Sequence, residues 1–181
     1  MQQLNDYFLW DVNQMNEIDK IVLDFIEKRD LKDKVYADWL DIELRSFYNR
    51  KCRAKKEVGT PFSDKDYALI LLKYRNYLRA KLIVARKEKL VQREFSTRGN
   101  LCEICLRHEI SLKNAAIFMG INYKVLLTKR KQYFKYEELN LLLSNIRNFF
   151  EKELNFINNE LDNYEKAKKK VKRNKALGRI K

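Results

Sequence analysis

The sequence predicts an all-α fold: a helical bundle with an embedded helix-turn-helix and two long helices. Four glycines and one proline in 181 residues leave too few turn formers for sheets joined by tight turns. Apolar residues recur at spacings of three and four along most of the chain. Cap-forming side chains, Ser63, Ser111 and Asn122, stand just ahead of periodic segments. A hydrophobic content of 45% excludes wholesale disorder, and the length suits one or two small domains with a real core.

The elements follow in order. Ile18, Ile21, Val22, Phe25 and Ile26 predict a first helix over 13–29. Val35, Trp39, Ile42, Leu44 and Phe47 continue the pattern in a second helix that runs into "NRKCRAKKEVG" and stops near Gly59. Together these make an acidic N-terminal region, 1–58. The segment "VGTPFSDKD" holds the single proline, and Ser63 with Asp64 and Asp66 behind it is an N-cap with acids at the positive end of the helix dipole. A long basic helix is expected within 60–97. Leu71, Tyr74, Leu78, Leu82, Ala85 and Val91 form its apolar stripe, and Gly99 serves as a C-terminal cap. The helix-turn-helix segment is 98–136, and a long C-terminal helix spans 137–168. On that helix Leu139, Leu143, Ile146, Phe150, Leu154, Ile157, Leu161 and Tyr164 make a near-heptad seam for a coiled coil or an antiparallel hairpin. Apolar residues fade from Lys166 onward, so 169–181 is expected as a frayed basic tail.

The net charge of +14 favours a polyanion partner. The charge is uneven. Residues 1–48 carry six basic against eleven acidic side chains, 49–99 fifteen against five, 100–136 seven against two, and 137–181 eleven against seven. An acidic head thus precedes three basic segments. No apolar run approaches the ~20 residues that span a bilayer, and the opening "MQQLNDYFLWDVNQ" has acids but no Lys or Arg, so neither a leader nor a membrane role is expected. Three cysteines, an odd count, fit a reducing cytoplasm better than a disulfide framework.

The stretch "SLKNAAIFMGINYKVLLTKRKQYF" explains one of the scarce glycines. Ser111 can cap a short helix over Leu112–Met119, Gly120 permits the positive φ that closes it, and Asn122 can cap a second helix over Tyr123–Gln132. Ala116 is small where the helices cross, and Ala115, Met119, Ile121 and Leu126 supply the apolar wedge. The same residue pattern also fits an ordinary corner of a helical bundle. The basic flank "TKRKQYFK" and the absence of any acid in Leu112–Lys131 favour the nucleic-acid alternative.

In Ala116, Gly120, Ile121 and Leu126, preceded by a first helix in "NLCEICLRHE", the segment resembles the helix-turn-helix of phage repressor-like bacterial, phage or plasmid regulators. The resemblance covers about 100–150. It departs from the family at Lys129, where an apolar residue is usual, and at Ile117 and Phe118, where polar residues are usual. Extra helices or a second subunit covering that face would account for these departures. The resemblance implies that Tyr123–Gln132 lies in the major groove of duplex DNA. Asn122, Tyr123, Lys124 and Thr128 would then face base edges, while Lys113, Lys129, Arg130 and Lys131 would meet phosphates. Asn122 has capping as its alternative role.

Other constellations carry less. Cys102, Cys105 and His108 have zinc-ligand chemistry at helical spacing, but no second cysteine pair exists and Cys52 is the one further thiol, so the cysteines are expected to pack in the core and no cofactor is expected. Asp33, Asp38, Asp41 and Glu43 could converge on metal ions in a nuclease but read as a solvated acidic surface. With one histidine and no phosphate-cradling glycine loop, an enzyme is not expected. The expectation is a cytoplasmic, non-catalytic, sequence-specific duplex-DNA-binding protein controlling transcription or phage or plasmid replication. It would be a homodimer through a helical seam. The alternatives are an RNA-binding protein and a protein-interaction module whose acidic N-terminal helices bind a protein partner.

Overall fold

The computed structural model describes residues 15–29, 31–88, 97–129 and 134–176. Among them the chain forms eight helices and no strand. These are α1 (Met15–Glu27), α2 (Asp33–Trp39), α3 (Leu44–Lys55), α4 (Asp64–Lys87), α5 (Thr97–His108), α6 (Leu112–Phe118), α7 (Tyr123–Lys129) and α8 (Tyr136–Ala176). The chain is thus all-α, as the scarcity of turn formers predicts. No described helix is long and apolar enough to cross a membrane. Two compact units result, one built from 1–75 with 156–181 and the other from 76–155.

In the first unit an aromatic core gathers around Phe25, whose ring meets Tyr67 and Tyr74 edge-on at 6.0 and 5.5 Å. Tyr36 stacks on Phe47, and Phe47 meets Phe62. Asp19 is buried beneath this core and accepts the Phe62 N–H at 3.0 Å. Burial raises its carboxyl above the ordinary value, while the Phe62 amide and Arg53 oppose the shift. In the second unit Leu78, Leu82, Leu101, Ile104, Leu126, Leu142, Leu143 and Ile146 form the core. The α8 seam is divided between the two cores. Leu139, Leu143, Ile146 and Phe150 are buried in one unit, and Ile157 and Leu161 in the other. Six of the eight seam residues are thus buried, and Leu154 and Tyr164 are half-buried.

The helix ends explain where the structure departs from the sequence reading. The expected second helix is two, α2 and α3, because α2 closes on Asp41 at φ 54, with the Ile42 N–H on the Ala37 carbonyl and the Asp41 N–H on that of Asp38. This six-to-one and five-to-two pairing is a Schellman cap, usually built on glycine. α3 ends the same way on Glu57 at φ 54, two residues before Gly59, and α5 on Glu109 at φ 55. Of these αL closures only the one after α6, at Gly120, uses glycine. Conversely, Gly99 lies in the first turn of α5 rather than at a helix end, since glycine adopts helical φ as readily as positive φ.

The tail departs too. α8 remains helical to Ala176, not fraying at Lys166. Extending an existing helix needs no new nucleus, lysine is a good helix former, and cations near a C-terminus are favoured by the helix dipole. Ala167, Val171 and Asn174 stay half-buried along one face of the extension.

Candidate nucleic-acid interface

The segment Ser111–Lys129 forms two short helices joined by a four-residue turn, Met119–Asn122. Ser111 starts α6 in extended geometry, and its Oγ accepts the Asn114 N–H at 3.2 Å. Gly120 closes α6 at φ +67, with its N–H on the Ile117 carbonyl and the Ile121 N–H on that of Ala116. A Cβ at Gly120 would meet nothing within 4 Å, so backbone conformation rather than crowding demands glycine there. Of the expected wedge Ala115, Met119 and Leu126 are buried and Ile121 is half-buried, and the small Ala116 is buried beside them.

The outer surface of α7 carries the residues singled out in the sequence. Asn122, Tyr123, Lys124 and Thr128 are all exposed, as is Lys113 on α6. Two of them have local engagements. Asn122 Oδ1 accepts the Lys124 N–H at 2.9 Å, so the cap is made. The Thr128 hydroxyl donates to the Lys124 carbonyl at 3.1 Å. Val125, which the sequence reading did not select, is also exposed. An apolar residue within an apolar-periodic helix carries no sequence signal that it faces outward.

Lys129 is placed differently from the others. It is half-buried, ion-paired to Glu138 in the first turn of α8, and 5.7 Å from the Phe134 ring centroid. Glu138 also accepts the Lys135 N–H, capping α8, and the Lys129 and Lys135 interactions hold its carboxyl below the ordinary value against the effect of burial. This pairing occupies the Lys129 ammonium within the fold. Phe118 is engaged by α8 as well: its ring lies 5.4 Å from Phe149, and its carbonyl accepts from Asn145 Nδ2. Ile117 is 65% exposed and remains uncovered. Arg130 and Lys131 lie outside the described residues, as does the expected end of the second helix at Gln132.

α5 is tied to α4 and α8 by a partly buried polar cluster. Glu88, at the end of α4, accepts Arg107 Nη1 on one carboxylate oxygen and faces His108 Nε2 across 2.6 Å with the other. From α8, Arg147 donates through Nε to the Ala85 carbonyl and through Nη2 to that of Glu88, satisfying the carbonyls left open at the α4 terminus. His108 is fully buried, and its Nδ1 has no hydrogen-bond partner among the described residues. Burial lowers its pKa; Glu88 opposes that shift, and Lys81 and Arg107 reinforce it. The residue after His108, Glu109, accepts from Tyr77 and Lys81 of α4. These contacts join positions about 20 to 60 apart in sequence, which no local pattern could reveal.

The remaining sequence candidates are not gathered into a site. Cys105 is buried, and burial next to Cys102 pushes its thiol up to about 11. Cys102 is exposed rather than packed in the core, because the α5 face that burial selects runs through Leu101, Ile104, Cys105 and His108. Among the described residues no three His, Cys, Asp or Glu side chains are grouped to hold a metal. Asp33 is engaged by Lys51 at 2.7 and 3.0 Å, while Asp38, Asp41 and Glu43 are exposed. Comparison with protein-family models, with curated proteins and with solved structures returns no match to the chain.

Proposed function

We propose that the protein is a cytoplasmic, non-catalytic, sequence-specific duplex-DNA-binding regulator of transcription or of phage or plasmid replication, with α7 lying in the major groove. The observation that carries this reading is the α6–turn–α7 unit closed by Gly120 at φ +67, with Tyr123, Lys124 and Thr128 on the exposed surface of α7. The absence of acids from Leu112–Lys131 supports it. Lys124 can reach guanine acceptors, and the Thr128 methyl can meet a thymine methyl. Asn122 retains its amide donors, although its Oδ1 caps α7. Lys113 would serve phosphate contacts. Lys129 would do so only by leaving Glu138. A homodimer through a helical seam, on a two-fold site, belongs to the reading.

Selection from a random duplex pool at ~150 mM salt, beside an RNA pool, tests it. A two-fold enriched motif is expected, with Tyr123→Ala/Lys124→Ala reducing specific more than non-specific affinity by about tenfold or more, given ~1–3 kcal/mol per base contact. Enrichment from the RNA pool instead would replace duplex DNA with RNA. Equal losses on specific and random sequences would remove α7 from the reading. The exposed Asp38, Asp41 and Glu43 favour the second reading, a protein-binding module, should no motif emerge.

A further inference from the structure

The last turns of α8 carry charge that is unmatched among the described residues. Residues 166–176 hold seven basic side chains and no acid. Lys166, Lys168, Lys169, Lys170, Lys172 and Arg173 are all exposed on a continuous helix, and none is in an ion pair among the described residues. Asp162 and Glu165 lie one turn before Lys166 and Lys169, at the spacing that lets helical ion pairs form, yet neither is paired with them. The half-buried face through Ala167, Val171 and Asn174 sets the azimuth of the helix, so the basic side chains occupy the remaining, solvent-facing arc.

We infer that the basic end of α8 is a second, sequence-independent contact to duplex DNA, gripping the phosphate backbone apart from the contacts of α7. The inference rests on the DNA-binding reading above and adds a separate source of affinity. Charge complementarity selects a polyanion. The composition selects the backbone rather than the bases: five of these six residues are lysines, point charges without the planar fork of arginine. No aromatic residue follows Tyr164 in the described helix, so bases have nothing to stack on, as single-strand binding would require. Keeping these charges on a helix rather than on a loose arm limits the ordering entropy lost on binding.

The test compares the full chain with Lys168→Gln/Lys169→Gln/Lys172→Gln/Arg173→Gln, titrating both with a duplex from the selection and with a scrambled duplex from ~50 to ~200 mM salt. Each lost phosphate contact makes the slope of log K against log salt shallower by about 0.9. A slope shallower by about 2 to 4, with the ratio of selected to scrambled affinity unchanged, is expected. Circular dichroism and melting check that the variant keeps its helices. Lys172→Gln alone, expected to change the slope by about 0.9, serves should the fourfold variant unfold. Lys55→Gln, a lysine already paired with Glu27, is the control and should leave the slope as it is.

An unchanged slope overturns the inference while leaving α7 as the reader. A shallower slope without any preferred sequence keeps the phosphate contact and overturns the α7 reading. Tighter binding to single-stranded RNA with the same loss of slope overturns the assignment to duplex DNA.

Discussion

Along α3 the basic side chains meet carboxylates in pairs that all keep some contact with water. Lys51 pairs with Asp33, Lys55 with Glu27 and Arg50 with Asp66, while Arg53 lies near enough to Asp19 to favour its ionised form. In the other unit the matching centres on Glu88, whose nearly buried carboxylate faces the buried His108 with one oxygen and the half-exposed Arg107 with the other, while Arg147 caps the helix that carries it. Surface pairs of the first kind contribute little stability but cancel charge. A buried group of the second kind fixes α4, α5 and α8 together, because removing one partner strands the others in a medium that solvates them poorly. The two regions also identify the basic residues left over. α3 holds five basic side chains in twelve residues, and three of them, Arg50, Lys51 and Lys55, are ion-paired within the fold. Lys124 of α7 and the basic side chains at the end of α8 are exposed and in no ion pair among the described residues.

The contrast breaks most readily at Glu88. Glu88→Ala should cost about 3 kcal/mol in denaturant unfolding, since His108 and Arg107 would lose their shared acceptor. A loss near that of a surface pair would erase the distinction between the two regions. Asp33→Ala should cost about 1 kcal/mol or less by the same measurement, because Lys51 is only partly screened from water and can rehydrate.

Acid titration sharpens the buried side of the comparison. The pKa of folded His108 lies below its ordinary value of 6.5. The unfolded chain therefore takes up a proton first as pH falls, and stability declines below about pH 6.5 until the folded histidine titrates in turn. Above that pH both states hold neutral imidazole and the contribution vanishes. Subtracting the pH profile of His108→Gln from that of the parent should isolate this decline. Identical profiles would mean that folding leaves the His108 pKa unshifted.

The smallest effect is expected at Lys55→Gln, where both partners are well exposed. Its melting temperature should fall by less than that of Asp33→Ala, and the difference should disappear at ~1 M salt, where screening reaches ~3 Å.

Much of the architecture was legible residue by residue. The Ser63 cap is made, with its Oγ accepting the Asp66 N–H and its own N–H donated to Asp66. Ser111 and Asn122 cap α6 and α7. The break between α2 and α3 was not legible, because Asp41 rather than a glycine adopts the αL conformation. Neither was the placement of Lys129: position and residue type suggested a phosphate contact, and a glutamate nine residues later holds it.

What the sequence alone determines is local: helical periodicity, the caps at Ser63, Ser111 and Asn122, and the one turn where φ +67 calls for glycine. These depend on side chains within a few residues of each other, so they are written in spacing. What only the tertiary structure decided is which charges are matched, which cysteine of α5 faces inward, and that the α8 seam closes on the chain's own cores. Those outcomes depend on groups brought together from distant positions, and on the cost of leaving a charge or an apolar surface without a partner once the chain has folded.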